Sequence, residues 1–278
     1  MIEAPKNIKP SVIRAAPPGG VSMARILALL YGSIVYLLFL ATFLYTIGFV
    51  EGIPGIKTID SGPTDRVWIA VIVDALLLGL FAVQHSVMAR QGFKRWWTRF
   101  VSPSVERSTF VLAASLAVAL LLWQWRPLGA IVWTVDNASG RVLLYLFSAL
   151  GWGILLTSTF LINHFELFGL HQVFNYWRGV RFNPPAFRTP ALYRYVRHPL
   201  YLGFILAFWA TPRMTQGHLL FAVATTAYIF VGIFFEERDL IAHFGDEYRR
   251  YRQRVPMILP FLGRRTEPLD RSDSRARS

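Results

Sequence analysis

No cysteine occurs among the 278 residues, so structural disulfides, thiolate metal sites and a cysteine nucleophile are all excluded. The same absence leaves the redox compartment open. Charge is scarce as well: Asp, Glu, Lys and Arg make up 16% of the chain, where a soluble domain carries about a quarter. Acidic residues are scarcest, 16 Asp+Glu against 29 Lys+Arg. A basic surplus suits nucleic acid when it lines one face, but here the basic residues fall between apolar runs and no nucleic-acid partner is expected. With 54% hydrophobic and 15% aromatic residues, and no convincing internal repeat, the chain reads as an all-α integral membrane protein in contact with lipid.

Four runs reach the roughly 20 residues that a bilayer crossing needs: Ala24 to Val50, Val67 to Ala89, Thr109 to Trp125 and Arg141 to Asn163. The first begins too deep in the chain, is too long and lacks a small-residue cleavage site, so it reads as a retained span and not a signal peptide. Two more apolar runs, Leu200 to Ala210 and His218 to Phe235, are separated by "TPRMTQG". The shorter is about half a span, so the pair is a full or a partly re-entrant hairpin, making five to six membrane segments. Arg90, Lys94, Arg95, Arg99 and Arg107 crowd the second connection, whereas the first and third carry two basic residues each. By the positive-inside rule both termini are cytoplasmic, with the bacterial inner membrane as the expected location. The expected division is an N-terminal segment 1–23, a four-helix region 24–163, a hairpin with an interfacial helix 164–262, and a disordered basic tail 263–278.

Within that plan the stretch "LYRYVRHPLYLGFI" puts Arg197, His198 and Pro199 at the mouth of an apolar run. Pro199 suits a first helical position, where its missing N–H would be unpaired anyway. Free backbone N–H groups and the helix dipole then favour an anion there, and Arg197 adds a charge with two parallel donors. Gly203 allows close approach of a backbone or a ligand. A hairpin entering and leaving on one side brings these residues beside Glu236 and Glu237. Beyond them Glu237, Leu240, Phe244, Tyr248 and Tyr251 recur at helical spacing on one face of an interfacial helix. Such a pocket holds a carboxylate, an ammonium and a planar or cationic group. The residues alone reach only a polar zwitterion or a phosphate, against the alternative of salt bridges that merely hold the hairpin shut.

"VRHPLYLG" followed by "EERDLIAHFGDEYRRYRQRVP" resembles the C-terminal half of the isoprenylcysteine carboxyl methyltransferase and phospholipid methyltransferase superfamily. "QHSVMAR", "ERST" and "NHFELFGLHQ" are similar to its NnrU-related branch, and most closely to the enzymes there that make dimethyl sulfide from methanethiol. The resemblance spans roughly residues 24 to 260. It implies S-adenosylmethionine as donor, S-adenosylhomocysteine as product and a small volatile thiol as substrate; no metal is demanded, since the sulfonium leaving group is already activated. It carries cofactor binding to Arg197, His198, Pro199, Tyr201, Gly203, Glu236 and Glu237, with Tyr248 in the tail of the motif.

The remaining polar residues bear on the acceptor. Asn163, His164 and Glu166 end the fourth span and His85 ends the second, so with His171 they are candidates to line the substrate site, or ordinary interfacial polar residues. His164 and His171 share a face of a regular helix but lie about 10 Å apart along it, too far to chelate one metal. Asp74, at mid-span, is either functional or an interhelical hydrogen-bond acceptor. A thiolate attacks the sulfonium methyl in line. Because a small alkanethiol is protonated at neutral pH, the site must hold the anion beside a cation or supply a base, with His164 and His198 the candidates. Other acceptors stay open, a prenylcysteine carboxylate or a lipid amine, as do a sterol-reductase-like enzyme using NADPH and a non-enzymatic membrane protein.

Overall fold

The structure, a computed structural model, describes residues 22–180 and 189–260. The expected N-terminal segment up to residue 21 and the basic tail therefore lie outside the described residues. Among the described residues, five helices are long and apolar enough to cross a membrane: α1 (Met23–Glu51), α2 (Val67–Ala89), α4 (Glu106–Gln124), α5 (Ala138–Ile162) and α9 (Gln216–Phe244). Shorter helices are α3 (Gln91–Trp97), α6 (His164–Leu167), α7 (Leu170–Arg178), α8 (Pro199–Trp209) and α10 (Asp246–Arg254). Two short strands, β1 (Ile131–Thr134) and β2 (Arg213–Thr215), pair antiparallel. The chain is thus an all-α multi-pass membrane protein. α8 has 11 residues, about 16 Å at the helical rise, or half the hydrocarbon core.

Three features depart from the sequence reading. The "TPRMTQG" connection carries β2, which the connection after α4 completes as a ribbon. The segment after α5 is not one regular helix: Gly169, with φ +84°, separates α6 from α7, so His164 and His171 do not share a continuous helical face. The stretch after Glu237 is broken too, because Gly245 ends α9 with φ 58° and ψ −127° and restarts the chain as α10. Glu237 and Tyr248 therefore sit on different helices.

The described residues form two compact units. The first comprises residues 22–46, 79–121 and 164–180. Its core is Val35, Phe110 and Val111, with Tyr31, Phe39, Met88 and Phe168 packed against them. Phe39 stacks on Phe168 with centroids 3.8 Å apart. A β-carbon on Gly32 would come within 2.6 Å of Val173, so glycine there lets α7 pack against the α1 backbone.

The second unit comprises residues 47–78, 122–163 and 189–260. Lipid tails are as apolar as leucine, so helix association there rests on close packing and polar contacts and not on hydrophobic burial. α5 and α8 meet at Gly151 and Gly203, where a β-carbon on either would approach backbone atoms of the other helix within 2.6 to 2.7 Å. Trp152 packs edge-on against Phe204 and Phe208 beside that contact. Glu51, the last residue of α1, accepts from Ser148 Oγ at 2.5 Å and Trp152 Nε1 at 2.8 Å. Lys57 Nζ donates to the carbonyls of Trp123 and Trp125, satisfying groups that the end of α4 leaves unpaired. Asp74 Oδ1 accepts from the backbone N–H of Arg126, in the connection after α4 and not on a helix, at 2.9 Å, while its Oδ2 is buried without a hydrogen-bond partner.

Candidate active site

Pro199 opens α8 at its first position, and His198 before it makes no side-chain cap. The imidazole turns instead to Glu237, with Nε2 3.1 Å from Oε1. Arg197 Nε meets the same carboxylate at 2.8 Å, and both side chains of that pair are under a tenth exposed. Another edge of the guanidinium donates from Nη1 to the carbonyls of Arg252 and Val255. The backbone joins in: Arg197 N–H donates to Pro256 O and His198 N–H to Met257 O. Thus the segment after α10 returns as a strap along the start of α8. The Glu237 carboxylate thus holds a guanidinium and an imidazole in a buried charge network, although the 2.8 Å approach of Arg197 Nε is an ion pair without hydrogen-bond geometry.

The groups left facing outward differ. Glu236, 45% exposed at its side chain, accepts from Tyr201 Oη at 2.9 Å. Arg252, half exposed, approaches Glu237 at 3.7 Å. Tyr251 Oη donates to Tyr193 O at 2.5 Å, whereas the Tyr193 hydroxyl is buried without a hydrogen-bond partner. Tyr248 is 2% exposed and lies beside Tyr251, ring centroids 5.7 Å apart. Burial raises the phenol pKa of Tyr193, Tyr248 and Tyr251 above the ordinary value, with the Glu236 or Glu237 charge adding to it. All three stay protonated donors. Gly203 faces the α5 backbone, so of the two expected uses of that glycine the structure shows the packing one.

The acceptor candidates fall in the first unit, except Asn163, which ends α5 in the second with φ 137°. His164 is buried and its Nε2 lies 2.9 Å from Tyr36 Oη. Phe165 and Phe168 flank its ring, and burial lowers its pKa. His171 lies 3.8 Å from Glu166 and 3.2 Å from Asn175 Nδ2. His85 sits between Phe81 and Phe110, centroids 5.3 and 4.9 Å away.

Arg107, in the stretch "ERST", is the residue that sequence reasoning passed over. Its Nε donates to Leu167 O at 2.8 Å, its backbone N–H donates to Gln172 Oε1 at 3.1 Å, and its guanidinium lies 4.9 Å over the Phe110 ring. One signal could have found it: like Arg197, it is an arginine at the mouth of an apolar run. The stretches "QHSVMAR" and "ERST" and, apart from Asn163, "NHFELFGLHQ" fall in one unit, while the Arg-His-Pro and Glu-Glu elements fall in the other. Among the described residues no group of three His, Cys, Asp or Glu could hold a metal ion.

Over 242 residues the chain is 59% identical to methanethiol S-methyltransferase 1 of Bradyrhizobium diazoefficiens, covering 87% of this chain and 85% of that protein. It is 57% identical over 244 residues to the methanethiol S-methyltransferase of Mycobacterium tuberculosis, covering 88% of this chain and 100% of that protein. A more distant likeness, 27% over 176 residues, joins 60% of this chain to 66% of mouse Nurim. No family model and no solved structure matches.

Proposed function

The chain belongs to the methanethiol S-methyltransferase family, and on that premise we propose that it methylates methanethiol to dimethyl sulfide with S-adenosylmethionine as donor. What carries the reading at the level of residues is the constellation at the joined ends of α8 and α9. Its chemistry fits the donor: Glu236, half exposed, would take the ammonium, and Arg252 the carboxylate. Tyr193 brings an unsatisfied hydroxyl, which a ligand oxygen or nitrogen would satisfy at a gain of about 1 kcal/mol or more. Arg197, His198 and Glu237 then act as the frame that positions these groups, with Pro199, Tyr201, Gly203 and Tyr248 supporting it. When bound, the donor supplies an electrophilic methyl group on a positively charged sulfur.

His85, His164, Glu166 and His171 of the first unit, with Asn163, are the acceptor-side residues. The histidines there can accept the proton that a thiol must lose, and His198 is a further candidate on the cofactor side. The basic connection 90–107 orients both termini to the cytoplasm, with the bacterial relatives supporting the inner membrane. Headspace gas chromatography of cells that express the protein and are fed methanethiol tests the activity, with dimethyl sulfide above the empty-vector level expected. Bound S-adenosylmethionine without dimethyl sulfide would move the acceptor to a prenylcysteine carboxylate or a lipid amine. Binding of NADPH in its place would overturn the class of reaction.

A further inference from the structure

We infer that the connection between α2 and α4 is a docking site for an anionic phospholipid, its phosphate held by Arg95 and Arg99 and its acyl chains met by Trp96 and Phe100. The inference is independent of the methyl transfer proposed above and concerns the first unit alone.

The stretch from Arg90 to Val105 holds four basic residues, Arg90, Lys94, Arg95 and Arg99, and no acidic one. A single residue, Arg90, separates the end of the span α2 from α3, and the span α4 begins at Glu106, so the connection is confined to one membrane boundary. After α3 the chain stays coiled: the N–H groups of Phe100 and Val101 both donate to Trp97 O, and Thr98 Oγ1 donates to Lys94 O. Positions four apart therefore stay on one side of the coil. Trp96 and Phe100 show it directly, with ring centroids 5.6 Å apart, and Arg95 and Arg99 have the same spacing.

Phe93, Trp96 and Trp97 pack ring to ring, centroids 5.4 to 5.9 Å apart. Even so, Trp96 is 48% exposed and Phe100 73%. Two large rings left so open between two spans find their apolar partner in acyl chains, and tryptophan suits this level because its body is apolar and its N–H is polar. Arg95 and Arg99 are exposed as well. Among the described residues neither guanidinium meets a carboxylate, so both keep donor pairs that match phosphate oxygens two at a time.

Charge selects among lipids. A zwitterionic head group brings an ammonium into a stretch that has no carboxylate for it, and the first one after it, Glu106, already lies within electrostatic range of Lys94. An anionic head group leaves its net charge to the arginines, each worth roughly a fivefold preference at such a surface.

Tryptophan fluorescence tests the site in the full chain, reconstituted in vesicles of equal parts phosphatidylglycerol and phosphatidylcholine with bromine on the acyl chains of one lipid or of the other. The part of the signal that Trp96→Phe removes in each background belongs to Trp96. In wild type that part should be quenched more by brominated phosphatidylglycerol, to an extent that corresponds to local enrichment of roughly tenfold or more, and the difference should shrink as salt rises. Arg95→Gln combined with Arg99→Gln should abolish the preference, whereas Arg95→Lys combined with Arg99→Lys should keep most of it. Equal quenching by the two brominated lipids in wild type overturns the site, as does a preference that survives the loss of both arginines. Protection of Trp96 from both lipids would overturn it too, by putting a protein, a second copy of the chain included, over this face. Inorganic phosphate should act no differently from chloride at equal ionic strength; a loss of preference specific to phosphate would mark a free-anion site and overturn the lipid assignment.

Discussion

Arg197 and Arg107 stand at the mouths of two apolar helices and are handled in opposite ways. Arg197 is paired: its Nε lies 2.8 Å from the Glu237 carboxylate, a terminal nitrogen donates to two carbonyls, and its backbone N–H donates to the returning strap. Arg107 is anchored on one edge and over one ring, with no carboxylate paired to it among the described residues. The residue type is the same, yet the first stiffens a frame and the second keeps its charge available. An arginine at a membrane boundary is therefore read by what its other edge touches. Only the folded arrangement supplies that information.

The sharpest way to break this contrast is to remove one partner of the Arg197–Glu237 pair. Glu237→Gln or Arg197→Ala leaves a buried charge uncompensated and should lower stability by about 3 to 5 kcal/mol, read as a fall in Tm in detergent, together with loss of calorimetric S-adenosylmethionine binding. If Glu237→Gln keeps both, the network is not a frame. Glu236→Gln, at the half-exposed neighbour, should leave Tm nearly unchanged while weakening cofactor affinity by about 2 kcal/mol or more. Unchanged affinity would remove Glu236 from the site.

Gly203→Ala tests whether the frame depends on α5. Its β-carbon would meet backbone atoms at 2.7 Å, and the overpacking should cost about 1 to 3 kcal/mol. A wild-type Tm would show that the helices separate freely. The smallest expected effect is at His164, whose pKa burial lowers. The unfolded chain takes up a proton near pH 6.5, about the ordinary histidine value, while the folded chain resists until a lower pH. This contribution is fully present above about pH 6.5 and is lost as pH falls through that value towards the folded one. Wild-type Tm should accordingly fall more on acidification than that of His164→Gln. Parallel curves would mean that the imidazole takes up its proton equally in both states.

The long helices were legible because sustained apolar runs need no partner to declare themselves. α2 begins and ends at the residues the run defines, Val67 and Ala89. The β1–β2 ribbon was not legible: its strands have four and three residues, too few to show alternation, and they find each other about 80 residues apart. The chain breaks at Gly169 and Gly245 were visible only as glycines, since the left-handed φ that makes them breaks is a property of the fold. The residues proposed for the cofactor stood out because Arg197, His198 and Pro199 are contiguous and Glu236 and Glu237 adjacent. Arg107 acquires meaning only through Leu167 and Gln172, 60 and 65 positions away.

The strap formed by Pro256 and Met257 on the backbone of Arg197 and His198 sets an order of events during synthesis. α8 and α9 can enter the membrane as soon as they leave the translocation machinery. The backbone N–H groups at the start of α8 gain their partners only once the ribosome has passed Met257. Until then the nascent hairpin carries Arg197 and Glu237 without the segment that closes over them. A stop codon between Phe244 and Met257 would therefore yield chains that insert yet present an open hairpin to quality-control proteases, so turnover in the cell would report on a contact made by two carbonyl groups.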